Sequence, residues 1–218
     1  MSARRASEPP QPPREGPVAL LLIDVINDLE FVGGDKLLRH ALPTAKKLAA
    51  LTARARAASV PVIYANDNFG HWRSDFRAQV RHCLRDGVRG GAIAQLLRPG
   101  PTDYFVLKPK HSAFFLTALE ALLHALGTRT LVMAGLAGDN CVLFTAHDAY
   151  MREYRLFVPE DGIASESLAA NRWALRHMQR FLKVDTRKGA RIDFGRLKAS
   201  SSRAKPARRG VTTRRDEV

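Results

Sequence analysis

The 218-residue sequence has only two cysteines, Cys83 and Cys141, too few for a disulfide framework and without the spacing of a metal site. A reducing, cytoplasmic compartment is the expectation that follows. No apolar run approaches the roughly 20 residues that a membrane span requires, so no membrane association is expected. The opening MSARRASEPPQPPREGP has no apolar core, and no secretory signal is expected there. No G-x-G-x-x-G follows the first apolar run, which disfavours a dinucleotide-binding or flavodoxin-like redox protein. The last 23 residues contain no aromatic side chain and only two acids against eight Lys/Arg.

That final segment, 196–218, cannot bury enough apolar surface to offset its ordering entropy, and it reads as a disordered basic tail. It accounts for much of the net charge of +14. An electrostatic anchor for a polyanion is one reading of it. A solvated extension without a dedicated partner is the simpler one, and nucleic acid is disfavoured because nothing there can stack on bases. At the other end, residues 1–16 read as a disordered Pro-rich stretch. Between them, residues 17–195 suit one domain, with the 45% hydrophobic and 26% charged composition of a globular protein.

Short apolar runs alternate with helical patterns throughout this domain. Strands are expected at Val18–Ile23, Val60–Tyr64, Tyr104–Leu107, Thr130–Ala134 and Arg155–Val158, with a weak sixth near Ala190–Phe194. Helices are expected from Asp35 as an N-cap, kinked by or starting near Pro43, and then around Phe76–Leu84 and Ala92–Leu97. Three more are expected over Leu116–Leu126, Asn140–Arg152 and Leu168–Leu182. Such alternation predicts a three-layer α/β/α fold with a mostly parallel, six-stranded sheet.

Asp24, Lys108 and Cys141 each stand just past an expected strand, at its carboxyl end. In open parallel sheets that edge forms the ligand crevice, so three complementary reactive groups should converge there. Cys141 opens a helical pattern after a Gly-rich turn, where unsatisfied N–H groups and the helix dipole favour a thiolate. Cys83, inside VRHCLRDG, reads instead as a small core residue. Lys108 alone would be a snorkelling surface group and Asp24 alone a loop-ordering carboxylate. Beside a thiol, Lys108 can favour its ionised form, and Asp24 can take its proton and return one to a leaving amine.

The segments LLLIDVINDLEF, VLKPKHSAF and AGLAGDNCVLFTAHDAYMREYRLFVPEDGIAS resemble those of the isochorismatase-like cysteine hydrolases, a family that includes nicotinamidases and N-carbamoylsarcosine amidases. The resemblance covers about residues 18–186. It implies a nucleophile at Cys141, a base at Asp24 and a supporting Lys108. It also implies a cis Leu136–Ala137 peptide and an oxyanion hole from the N–H groups of Ala137 and Cys141. Dimers or tetramers are implied as well.

Two departures narrow the reading. Nicotinamidases of this family hold a metal through an aspartate and histidines after the second strand. Here YANDNFGHW offers Asp67 and a lone His71, so neither metal nor other cofactor is expected and nicotinamide is disfavoured. Gly138 stands where many members have Thr. The retained Cys141 favours C–N cleavage of a small molecule over isochorismate-type hydrolysis of a cyclic substrate, and the intact set of three disfavours a non-catalytic binding protein. Phe31, Phe69, Trp72 and Phe114 are the candidate pocket walls, with Trp72 the preferred substrate contact.

Overall fold

The computed structural model describes residues 17–70 and 75–202. The stretches 1–16 and 203–218, and with them most of the expected tails, lie outside the described residues, as do His71 and Trp72. Six strands form one parallel sheet: β1 (Val18–Ile23), β2 (Val62–Asp67), β3 (Tyr104–Lys108), β4 (Thr130–Leu136), β5 (Arg155–Phe157) and β6 (Ile163–Ala164). The order is β3-β2-β1-β4-β5, and β6 pairs with the far end of β4. Every residue of β1 is buried, as its unbroken VALLLI demands of a strand covered on both faces.

Among the described residues seven helices complete the layers: α1 (Gly34–Ala57), α2 (Phe76–Arg85), α3 (Gly91–Leu96), α4 (Leu119–Ala125), α5 (Leu143–Met151), α6 (Leu168–Leu182) and α7 (Phe194–Ser202). The period-two geometry of β1 divides the core. Val18, Leu20 and Leu22 join α1, α2, α3 and α7 on one face. Ala19, Leu21 and Ile23 join α4, α5 and α6 on the other. Each fully buried Leu or Ile contributes roughly 1.5–3 kcal/mol, which fixes the register of this central strand. Among the described residues no helix is long and apolar enough to cross a membrane.

Four expectations change. The sixth strand is Ile163–Ala164, whereas residues 189–191 form a 3-10 turn leading to α7. There the carbonyls of Gly189, Ala190 and Ile192 accept from the Arg54 guanidinium rather than from a neighbouring strand. α1 continues through Pro43 rather than starting near it, because Leu37, Ala41, Ala45 and Leu48 bury one continuous stripe on either side of it. It also begins before Asp35, on Gly33 at φ 91, with no side-chain cap. Residues 196–202, expected in the disordered tail, continue α7, held by Leu197 and Phe194 in the core.

Candidate active site

Asp24 directly follows β1 in a left-handed conformation, φ 51, and its N–H donates to the carbonyl of Ala65 at the end of β2. Its Oδ1 accepts from the Asp67 N–H at 2.6 Å, and its Oδ2 lies 2.8 Å from the Lys108 ammonium. The β2–β3 register sets Lys108 opposite Asp67, with their charged groups 3.5 Å apart. Lys108 is 0% exposed; it also donates to the Lys110 carbonyl at 3.2 Å and reaches the Cys141 sulfur at 3.5 Å. A buried ammonium in hydrocarbon would be costly, and these partners hold it in place.

Cys141, 9% exposed, sits in a π-helical turn over Gly138–Val142 that joins β4 to α5. Such one-turn widenings occur often at functional sites. The Thr145 hydroxyl ties the turn down, donating to the Cys141 carbonyl at 2.7 Å while accepting from Ala113 N–H at 3.0 Å. The end of β4 reaches the end of β1 only because residue 135 is glycine. A Cβ there would stand 2.0 Å from the Ile23 carbonyl, and its φ is 131. So the structure brings Asp24, Lys108 and Cys141 together at one rim of the sheet.

Electrostatics overturn one expectation. Burial pushes the Cys141 thiol up to about 12, the neighbouring Asp24 carboxylate adds to the rise, and Lys108 only partly opposes it. The thiol is therefore protonated at rest rather than a thiolate, because desolvation outweighs the helix terminus. Asp24 is itself raised, burial outweighing the ammonium of Lys108. Burial pulls Lys108 down, and the Asp24 carboxylate above all, through its charge and its hydrogen bond, restores it. The expected cis Leu136–Ala137 peptide is not found: no described peptide bond is cis.

A cavity of about 700 Å³ opens over these groups, bordered by Ala137, Cys141, Phe31 and Phe69. Phe114 does not reach it. It is 5% exposed, its ring packed on Tyr154 and under the Arg152 guanidinium, so it is a core residue beneath α5. Cys83 is likewise core, its thiol pushed up to about 12 by burial. The Asp67 carboxylate accepts from the Phe69 N–H and pairs with Lys108, and His71, the other residue the sequence offered toward a metal, lies outside the described residues.

Sequence reasoning missed Asn27, Lys36, His111, Asp139 and Glu166, which also border the cavity. Asn27 could have been found from its place three residues past Asp24. Glu166 could not, because it follows β6, a two-residue strand without a pattern of its own.

Gly138 is explained by its neighbours. An added Cβ would lie 2.6 Å from Asn171 Oδ1 and 2.8 Å from Ile163 Cδ1. The space is already used by Ser165, which accepts from the Asp139 N–H and donates to Asn171. Gly138→Thr should therefore lower stability by about 1–3 kcal/mol through overpacking, seen as a lower melting temperature. An unchanged melting temperature would mean that Asn171 swings aside without penalty.

The fold and this rim of acid, ammonium and thiol are those of an isochorismatase-like hydrolase. The chain belongs to the isochorismatase family, whose domain model matches residues 18–188. It is 42% identical over 164 residues to the uncharacterized isochorismatase family protein YaaI of Bacillus subtilis, covering 75% of this chain and 90% of that one. A ureidoacrylate amidohydrolase, RutB of Methylorubrum extorquens, is 30% identical over 160 residues, 64% of each chain. Among solved structures, the N-carbamoylsarcosine amidase of Thermoplasma acidophilum superposes with a TM-score of 0.62 at 27% identity, covering 81% of this chain and 98% of that one.

Proposed function

We propose that the protein is a cysteine amidase that cleaves an amide, carbamoyl or ureido C–N bond of a small molecule through a thioester. The observation that carries this reading is the convergence of Cys141, Asp24 and Lys108 beneath one open cavity. It is supported by relatives named for amide hydrolysis, among them a maleamate amidohydrolase of Pseudomonas putida that is 30% identical over 147 residues.

The resting thiol is neutral, so attack needs its proton removed as the bond forms. Asp24 accepts that proton while sulfur adds to the substrate carbonyl, and Lys108 keeps the carboxylate aimed and offsets charge on sulfur. The N–H groups of Ala137 and Cys141 receive the oxyanion. As the tetrahedral adduct collapses, the C–N bond breaks and the amine or ammonia departs with the proton from Asp24. Water, deprotonated by Asp24, then attacks the thioester and releases acid and free thiol. No metal enters this sequence.

The test is an ammonia-release assay over a panel of small carboxamides and ureido compounds, with mass spectrometry of acid-quenched enzyme. A turned-over substrate should leave its acyl group on Cys141, and Cys141→Ala should show neither ammonia nor adduct. Ammonia release that survives Cys141→Ala would overturn the mechanism.

A further inference from the structure

The cavity walls carry an imbalance of charge that the proposed chemistry does not use. Lys108 is fully engaged below the floor, between Asp24, Asp67 and the Lys110 carbonyl. Above it, two further acids, Asp139 and Glu166, border the cavity, and among the described residues Lys36 and His111 are the basic ones beside them. Among the described residues the side chains of Asp139 and Glu166 form no ion pair, the closest pairs all involving other acids.

Glu166 stands against the first turn of α1. A Cβ on Gly33 would fall 2.6 Å from its Oε1, which places the carboxylate at the start of that helix. The positive end of the helix dipole favours an anion there. A second observation is independent of charge. Asn27 is 7% exposed and borders the cavity. Its Oδ1 accepts from the Leu29 N–H at 2.8 Å, which leaves the amide Nδ2, without a partner among the described residues, to donate to an occupant of the cavity.

We infer that the substrate is a carboxamide whose far end bears an ammonium or similar cation, received by Glu166 and Asp139, while Asn27 donates to an acceptor nearer its middle. This rests on the amidase reading. Relatives named for ureidoacrylate and maleamate act on compounds that end in a carboxylate. Among the described residues, a carboxylate entering this cavity would meet more acid than base. Opposite charge along a cleft with low-dielectric walls concentrates the matching ligand, and like charge repels the other.

Three carboxamides of similar length separate the cases: 4-aminobutanamide, butanamide and succinamate. Binding to full-length Cys141→Ala by calorimetry reads charge preference without turnover, and ammonia release by the wild-type protein reads it with turnover. The cationic amide should bind at least about tenfold more tightly than succinamate at low salt, with the gap narrowing at high salt. In Glu166→Gln the advantage of the cationic amide over butanamide should shrink, through KM more than kcat. Succinamate binding as tightly as the cationic amide, or no preference among the three, overturns the inference. Succinamate turned over best through Cys141 would overturn it too, and would leave the amidase reading standing. Cation-selective binding with no turnover of any amide would instead support the charge assignment and count against the amidase reading.

Discussion

In Asp24→Asn, amide turnover should fall by about 10³–10⁴, while iodoacetamide labels Cys141 faster than in the wild-type protein. The two effects have opposite sign because Asp24 plays opposite parts toward the two reactions. In hydrolysis it must accept the thiol proton within the transition state, and asparagine cannot. Alkylation needs only the pre-existing thiolate. Next to burial, the Asp24 carboxylate is the main cause that holds the thiol up at about 12, and Lys108 pulls the other way. Asparagine keeps the volume and removes the charge. The ammonium at 3.5 Å then faces the sulfur, and each unit by which the thiol drops raises the thiolate fraction about tenfold. Cys83 serves as an internal reference, since it lies on α2 and is raised chiefly by its own burial. Slower or unchanged labelling of Cys141 beside an unchanged Cys83 would refute this account of the site.

Lys108→Met should cost about 3–5 kcal/mol of stability at pH 8, as expected when one partner of a buried charge pair is removed. Much of that loss should return at pH 5. The wild-type lysine is fully buried between Asp24 and Asp67, and methionine fills its volume while leaving those carboxylates without a counter-charge. Asp24 already titrates above the usual carboxylate value through burial, with Lys108 the largest opposing influence. Removing that influence raises it further. A folded-state value above the unfolded one means that the folded protein retains a proton which the unfolded chain has lost. Its contribution is present below the unfolded value and declines as pH rises through the folded one. Melting temperatures of both proteins from pH 5 to pH 8 check this. A deficit of equal size at both ends would show that packing, and not the stranded carboxylates, dominates.

The legible part of this protein was its alternation. Six apolar residues before Asp24, and four before Lys108, read as strands from their own pattern, and carboxyl ends of parallel strands share one edge. The reactive set could thus be named from local pattern, with the family motifs adding roles to it. The candidate walls were less legible. Phe114 and Phe69 both stand in irregular segments, yet one packs under Arg152 and the other borders the cavity. Aromatic character alone does not choose between those fates, because both bury a ring.

Local pattern determined that residues 17–195 would alternate strand and helix, and that an acid, an ammonium and a thiol would end three of the turns. Tertiary structure alone decided the order β3-β2-β1-β4, which sets Asp24 between the other two. It also decided that Glu166 would stand beside the first turn of α1 and that the thiol would rest protonated. Those outcomes depend on distances between segments more than thirty residues apart in the sequence. Desolvation and charge at such a point are sums over neighbours that only the folded chain supplies.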